Sequence, residues 1–215
     1  MPNIFLSTQI EAIVTMLDSN DIVLGDHPFF RVVEQRVSVR NYRPDPVPQE
    51  HLEMILNTAR LAPNSGNQQA CRYLIVKDKA KLEELKEACI RNRETVLRAR
   101  GDEVPDEEAI REHYDVVFSA PLYVLVLVDK TVRYKGYEEK DGSLAAANIM
   151  LAARALGYGT VFYTDSIPED LCMRHLGIPE RYSRTCVIPV GVPESWPDRR
   201  ERLPLNELVF YEKIV

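Results

Sequence analysis

The stretch Leu122-Tyr-Val-Leu-Val-Leu-Val128 is the longest apolar run in the chain. It has the length of a strand, and it is apolar at odd and even positions alike. Because successive side chains of a strand point to opposite faces of a sheet, an unbroken apolar run is typical of a strand that is covered on both faces. We therefore predict a central strand over residues 123–128.

A second stretch, Ser143-Leu-Ala-Ala-Ala-Asn-Ile-Met-Leu-Ala-Ala-Arg-Ala-Leu156, predicts a helix that ends at Gly157. Its alanines leave little side-chain bulk, so another helix can approach it closely. We interpret this helix as buried, and a subunit interface is one place that would bury it. Residues 130–141, which precede it, form a polar stretch that contains Tyr134 and Tyr137.

The rest of the chain predicts further elements in irregular order. Apolar spacing and capping residues indicate helices over 7–18, 29–35, 49–61, 79–100 and 106–118, and a short helix capped by Ser166 and Glu169. Strands are expected over 73–76, 160–163 and 185–190, before an extended C-terminal arm. Because no regular β-α-β alternation occurs, the pattern favours the α+β class over a doubly wound sheet.

Length and charge limit the organisation and the partners of the chain. The 215 residues favour one domain, which we place at 29–215, after an N-terminal helical extension over 1–28. Acidic residues outnumber basic ones, 33 against 27, whereas proteins that bind nucleic acid are usually basic. No segment reaches the ~18 apolar residues of a membrane span. We therefore expect neither nucleic acid nor a membrane as a partner.

Cysteine and histidine spacing bears on location and metals. The four cysteines form no Cys-x-x-Cys pair, and the four histidines are scattered. Buried free thiols in a reducing compartment explain such cysteines, and the N-terminus lacks the basic start of a signal peptide. We expect a cytoplasmic protein without a metal site.

Two basic clusters are candidate anion sites. In an extended Arg36-Val-Ser-Val-Arg40 segment, the two guanidinium groups and the Ser38 hydroxyl would share one face, which suits a phosphate. The second cluster, Arg199-Arg200-Glu201-Arg202, lies in the C-terminal arm. A solvated charged surface is the alternative interpretation of either cluster.

A third candidate is the polar loop Pro63-Asn-Ser-Gly-Asn-Gln-Gln69, between a predicted helix and a predicted strand. Its amide and hydroxyl groups can hydrogen-bond a heteroaromatic ring or a ribityl chain. An ordinary turn is the alternative.

Together with their spacing along the chain, the three segments resemble the nitroreductase family of flavin mononucleotide (FMN) enzymes. The family's R-x-S-x-R/K segment corresponds to residues 36–40, and its A-P-S-x-x-N-x-Q-P-W loop corresponds to 62–71. Further matches are A-L-G-x-G at 155–159, L-G-I-P-E at 176–180, G-x-P at 191–193 and a basic arm before a leucine-rich tail at 200–205. The family's P-W is Ala70-Cys71 here, and the stretch 129–142 is short compared with members that carry a helical lid.

The resemblance implies a nitroreductase-like α+β fold, with a central, mostly antiparallel sheet flanked by helices, in an intertwined homodimer with flavin sites at the subunit interface. It implies that the FMN phosphate and ribityl chain are held by Arg36, Ser38, Arg40, Arg200 and Arg202. The flavin ring would be lined by Pro63, Asn64, Ser65, Asn67 and Gln69, and the backbone amides of Thr164 and Asp165 would face its N5 atom.

The implied chemistry belongs to the flavin, so we expect no catalytic side chain. NADH or NADPH would reduce the flavin, and a nitroaromatic, a quinone or a similar electron-poor acceptor would reoxidise it in a ping-pong cycle. Tyr134, Tyr137 and Tyr163 are candidates for lining the acceptor cleft, although they could instead cover the edge of the core. Two alternatives stay open: a specialised member of the fold, such as a reductive dehalogenase or a flavin-consuming enzyme, and a flavin-binding protein without turnover.

Overall fold

A computed structural model describes residues 26–214. The chain divides into two compact units, one of residues 36–197 and the other formed by the described parts of Met1–Gln35 and Asp198–Val215. The predicted helix over 7–18, and most of the predicted extension over 1–28, lie outside the described residues.

The larger unit contains a four-stranded sheet of β1 (Cys71–Val76), β2 (Leu122–Asp129), β3 (Gly159–Thr160) and β4 (Tyr182–Gly191). The strand order is β1-β2-β4-β3, and every neighbouring pair is antiparallel. All eight residues of β2 are buried, which confirms the predicted central strand.

The helices lie close to their predicted positions. Helix α1 (Pro28–Gln35) and the short α7 (Leu205–Leu208) belong to the smaller unit. The larger unit holds α2 (Gln49–Ala59), α3 (Lys79–Arg100), α4 (Glu107–Val117), α5 (Glu138–Ala155) and α6 (Glu169–His175). None of the helices within residues 26–214 combines the length and the apolar character needed to cross a membrane.

The two faces of β2 belong to two different cores. Odd-numbered positions from Tyr123 to Leu127 pack with residues of α3, α4 and α6. Even-numbered positions from Leu122 to Val126 pack with residues of α2 and α5. The sheet is therefore the middle of three layers, which explains why the sequence is apolar at every position of this strand.

Helix α5 begins five residues before its predicted start, so the polar stretch 130–141 is partly helical. Three acidic residues, Glu138, Glu139 and Asp141, occupy its first turn, where the helix dipole favours negative charge. Gly142 lies inside the helix because it packs tightly: a Cβ there would come within 2.1 Å of Thr185 Oγ1. The burial predicted for the alanine-rich part is confirmed, since α5 packs on α2 and on the sheet of the same chain.

Two local predictions were wrong. Ser166 does not cap a helix, because α6 begins after Pro168 without any side-chain cap, and the Glu169 carboxylate instead accepts a hydrogen bond from the Arg184 backbone at 2.8 Å. The predicted strand over 160–163 is shorter: β3 ends at Thr160, and only Tyr163 continues the pairing, through a bridge to Val187.

A β-bulge at Thr185 interrupts the ladder between β2 and β4. Val126 pairs with Cys186 whereas Leu127 pairs with Arg184, so Thr185 has no partner on β2. A bulge inserts one extra residue, bends the strand and re-aims the neighbouring side chains. Here it turns Arg184 towards the segment that follows β3, as described below.

The contact between Gly142 and the bulge predicts that Gly142→Ala destabilises the fold. The added methyl group would overlap Thr185 Oγ1 and touch the Val128 side chain, both in closely packed surroundings. We expect the free energy of unfolding in urea to fall by about 1–3 kcal/mol. Ser143→Ala, at the exposed next position, is the control and should change it by less than about 0.5 kcal/mol. Equal stability of Gly142→Ala and wild type would contradict the described packing.

Candidate active site

The loop Asn64–Gln69, between α2 and β1, has an unusual backbone. Gly66, Asn67 and Gln69 all have positive φ angles, of 55°, 52° and 52°. Glycine adopts this left-handed conformation readily, whereas other residues pay a steric cost. Hydrogen bonds to neighbouring parts of the loop offset this cost.

The main contact to this loop comes from Asp141, in the first turn of α5. This residue is only 2% exposed. Oδ1 accepts hydrogen bonds from the Ser65 backbone N–H at 2.9 Å and from the Ser65 hydroxyl at 3.0 Å. Oδ2 accepts one from Gln68 Nε2 at 3.0 Å. Sequence reasoning missed Asp141, because nothing in the polar stretch around it distinguishes this carboxylate from a solvated one.

The hydrogen bonds divide the loop residues into two groups. The Ser65 hydroxyl is occupied by Asp141, and Asn64 Oδ1 accepts from the Gln69 backbone N–H at 2.8 Å, so both side chains build the loop itself. The side chains of Asn67 and Gln69 make no hydrogen bond to any residue within 26–214. The side-chain amides of Asn67 and Gln69, and the Nδ2 group of Asn64, are therefore available to a ligand.

A small cavity of about 120 Å³ opens beside this loop. It is lined by the end of α2, by the loop at Pro63, Asn64 and Gln69, by the start of β1, and by Asp141 and Ala145 of α5. Burial and, to a smaller extent, the Asp141 carboxylate raise the pKa of the Cys71 thiol in its wall to about 11, against the opposing effect of Arg72. Cys71 therefore stays protonated at neutral pH and is not an activated nucleophile. It is half-buried, whereas Cys89, Cys172 and Cys186 are buried as predicted.

The predicted cleft tyrosines occupy different surroundings. Tyr134 is half-exposed and packs over Gly66, where a Cβ would come within 2.1 Å of the ring. Tyr137 is also half-exposed and stands at the start of α5, with the Lys140 ammonium 5.0 Å from its ring centroid. Tyr163, in contrast, is buried in the core beside β4. Lining of an acceptor cleft by these three residues stays a prediction.

A second cavity, of about 810 Å³, also reaches the first turn of α5. It contains Thr164 and Asp165, the pair predicted to face the flavin N5. Its remaining wall comes from α3 between Asn92 and Arg100, from Tyr114, from Glu139 of α5, from 168–170, and from Arg184 and Thr185 of β4.

Arg184 forms hydrogen bonds to the segment that contains Thr164 and Asp165. Its Nη2 donates to the Thr164 carbonyl at 2.6 Å, and its Nη1 donates to the Ile167 carbonyl at 2.5 Å. Its Nε and the Thr185 hydroxyl are buried without a hydrogen-bond partner within the described part of the chain. Sequence reasoning missed Arg184 because a bulge, which no pattern in 182–191 indicates, determines its direction.

The larger cavity also carries unpaired charges of both signs. Arg93 and Arg100 on α3, and Glu139 on α5, form no ion pair with any residue in 26–214. In contrast, Asp170 pairs with Arg174 at 2.9 Å. Within the same range, no group of three or more His, Cys, Asp and Glu side chains comes together in a way that could hold a metal ion.

The basic segment 36–40 has the extended form that its spacing predicts. Val39 is buried, its N–H donates to the Thr160 carbonyl at 3.0 Å, and Ser38 bridges to Thr160. Arg36 and Arg40 form no ion pair with a described residue, although Arg40 Nη1 lies 3.4 Å from the Ser38 carbonyl. The two guanidinium groups are therefore available to an anion.

The second basic cluster belongs to the smaller unit. Arg200 and Arg202 are exposed, and Arg202 Nη1 donates to the carbonyls of Arg200 and Glu201, both at 3.1 Å. Neighbouring Arg199 lies 3.9 Å from the Glu34 carboxylate in the same unit. Binding of an anion by Arg200 and Arg202 stays a prediction.

Comparison with known proteins identifies the family. Residues 33–192, most of the chain, match the nitroreductase family. Iodotyrosine deiodinase from Thermotoga neapolitana is 28% identical over 185 residues, which cover 84% of this chain and 95% of the relative. NADH dehydrogenase from Thermus thermophilus is 27% identical over 218 residues, which cover 94% and 100%. The crystal structure of a nitroreductase from Desulfovibrio desulfuricans in complex with FMN has a TM-score of 0.67 at 25% identity. The match covers 89% of this chain and 100% of that protein.

The chain therefore belongs to the nitroreductase family, as its motifs predict. Its α+β fold, with a central antiparallel sheet between helical layers, is the fold of that family.

Proposed function

We propose that the protein is an FMN-dependent oxidoreductase that takes electrons from NADH or NADPH and reduces an electron-poor acceptor, such as a nitroaromatic or a quinone. The observation that carries this proposal is the extended segment 36–40, with two unpaired guanidinium groups beside a serine hydroxyl in an otherwise acidic chain. FMN in the D. desulfuricans structure and the name of the T. thermophilus relative support the cofactor and the electron donor.

The donor set of the chain fits FMN. A phosphate monoester carries about −1.5 to −2 charges at pH 7 and binds best to several cationic donors. Arg36, Ser38 and Arg40 provide such donors, and Arg200 and Arg202 are proposed to add two more. The unpaired side-chain amides of Asn67 and Gln69 can both donate to and accept from the polar edge of a flavin ring.

When bound, FMN supplies a carrier that accepts a hydride from a nicotinamide and passes the electrons to an acceptor. The chain binds and orients the reactants. Arg36 and Arg40 neutralise the phosphate, and the loop Asn64–Gln69 holds the ring edge. The Thr164–Asp165 segment, held by Arg184, forms one wall of the 810 Å³ cavity, in which we place the acceptor. The wall of this cavity includes none of the three tyrosines predicted to line an acceptor cleft, so they have no role in this placement. We place the protein in the cytoplasm, where its four free cysteines stay reduced.

The phosphate site predicts that Arg36→Ala weakens FMN binding. Loss of one charge-assisted hydrogen-bonding group costs about 1.5–3 kcal/mol, which raises the Kd by roughly one to two orders of magnitude. Fluorescence titration of the apoprotein with FMN measures this change. Arg43→Ala is the matched control, because Arg43 already pairs with Asp45 at 2.9 Å, and its Kd should match that of wild type. Unchanged affinity in Arg36→Ala would remove Arg36 from the site.

We also propose that the protein is a homodimer. Large apolar side chains are exposed on the larger unit, among them Leu61 at 77% and Leu144 at 45% on α5, and the smaller unit exposes Phe29, Leu205, Leu208 and Phe210. Such surfaces are typical of protein interfaces. Sedimentation velocity at micromolar concentration should give twice the chain mass of 24.6 kDa. A monomer that binds FMN fully would contradict the proposed assembly.

A second candidate function is reductive dehalogenation of an amino acid such as iodotyrosine, after the T. neapolitana relative. The unpaired Arg93, Arg100 and Glu139 in the larger cavity favour it, because they could bind the carboxylate and the ammonium group of a zwitterion.

Turnover assays distinguish the two candidates. The first predicts nicotinamide oxidation with a quinone and no iodide release from iodotyrosine, and the second predicts iodide release. If the second is correct, Arg93→Ala should raise the KM for iodotyrosine and leave the quinone KM unchanged. Arg91→Ala, on the same helix but paired with Glu87, is the control. Bound FMN without turnover of either acceptor would instead indicate a flavin-binding protein.

A further inference from the structure

We propose that Asp141 is a positioning residue for the loop Asn64–Gln69. Its carboxylate holds Asn64–Gln69 in the conformation that presents Asn67 and Gln69, and through Gln68 it fixes the segment that carries Tyr134. The inference rests on the proposed function for the statement that Asn67 and Gln69 face a flavin. The hydrogen bonds between Asp141 and the loop do not depend on the proposed function.

The hydrogen-bond donors of the loop and the acceptor oxygens of the Asp141 carboxylate satisfy each other. Asp141 is a buried residue, and a buried carboxylate is costly unless hydrogen bonds compensate the loss of water. Within residues 26–214, all three donors to the Asp141 side chain belong to the loop, two on Ser65 and one on Gln68, and none belongs to α5 itself. The start of α5 is thereby tied to residues more than seventy positions earlier in the chain.

The loop needs such a tie because of its backbone. Asn67 and Gln69 keep left-handed conformations that a free loop would leave, since ordinary φ values are favoured for residues with a side chain. The bond from Gln69 N–H to Asn64 Oδ1 closes the loop on one side. Asp141 fixes the other side at Ser65 and Gln68. Without it, Asn67 and Gln69 would relax, and their side chains would change direction.

Gln68 extends the effect of Asp141 to Tyr134. The Gln68 side chain donates to Asp141 Oδ2 and accepts from the Tyr134 N–H at 2.9 Å. The Tyr134 ring in turn packs against Gly66. The loop and the Tyr134 segment therefore form one hydrogen-bonded unit. The Asp141 carboxylate holds it at Ser65 and Gln68, and Arg72 Nη1 donates to the Gln69 carbonyl at 2.9 Å at its other end.

The test begins with Asp141→Asn, which preserves the shape of the side chain and replaces one acceptor with a donor. That donor must then face Gln68 Nε2, Ser65 N–H or the Ser65 hydroxyl. We expect the FMN Kd to rise about tenfold or more. In the apoprotein, hydrogen exchange measured by mass spectrometry should accelerate in peptides that contain 64–69.

A second substitution should rescue the first. In the double variant Asp141→Asn with Gln68→Glu, the new carboxylate at position 68 can accept from the new amide at 141 and from the Tyr134 N–H. The FMN Kd and the loop exchange rate should return to within about threefold of wild type. Gln68→Glu alone sets two carboxylates against each other and should weaken FMN binding.

Asp129→Asn is the matched control. Asp129 is also buried and accepts from the Thr131 N–H at 2.9 Å and its hydroxyl at 2.6 Å, but it does not bond to the loop. It should lower thermal stability, as Asp141→Asn does, while FMN Kd and loop exchange stay within about threefold of wild type.

These experiments test the positioning role of Asp141 separately from the proposed FMN-dependent activity. Wild-type loop exchange in Asp141→Asn would overturn the proposal, and so would equal effects of the two aspartate substitutions or failure of the double variant to recover. If wild type does not bind FMN, the proposed function fails, whereas the exchange comparison still decides whether Asp141 positions the loop.

Discussion

The structure depends on the burial of β2 on both faces. A strand without a solvent-exposed face must be covered by two separate layers, and both of its edges are used by hydrogen bonds to β1 and β4. One layer consists of α3, α4 and α6, and the other consists of α2 and α5. The small residues of α5, including Gly142, let that helix approach the sheet closely. The polar groups of the proposed site lie at the edge of this core, at the first turn of α5 and at the bulge in β4.

The first turn of α5 is where those polar groups meet. Asp141 lines the small cavity beside the loop Asn64–Gln69, and Glu139 lines the larger cavity beside Thr164 and Asp165. Gly142 follows directly and packs against the bulged Thr185, whose neighbour Arg184 fastens the Thr164 segment. The first turn of α5 thus contacts both the loop Asn64–Gln69 and the bulge at Thr185. The proposed function uses residues of the loop and of the segment that Arg184, next to the bulge, holds in place.

Much of this architecture could be predicted from the sequence, because the signals are local. The apolar run at β2, the spacing in α2 and α3, and the order of family motifs need no knowledge of distant contacts. The start of α5, the bulge at Thr185 and the role of Asp141 depend on contacts between distant parts of the chain, and no local pattern indicates them. Within the predicted loop, the sequence indicates the polar residues only as a group, and it could not show that Asn64 Oδ1 and the Ser65 hydroxyl form hydrogen bonds within the chain.

The central claim is that the chain carries electrons from a nicotinamide through a bound flavin. The most direct measurement is the visible absorption spectrum of the purified protein, loaded with FMN and kept without oxygen, before and after addition of NADH or NADPH. We expect flavin bands that nicotinamide bleaches and that return when an acceptor is added. A protein that does not retain FMN, or whose bound FMN is reduced by neither NADH nor NADPH, would contradict the proposed function.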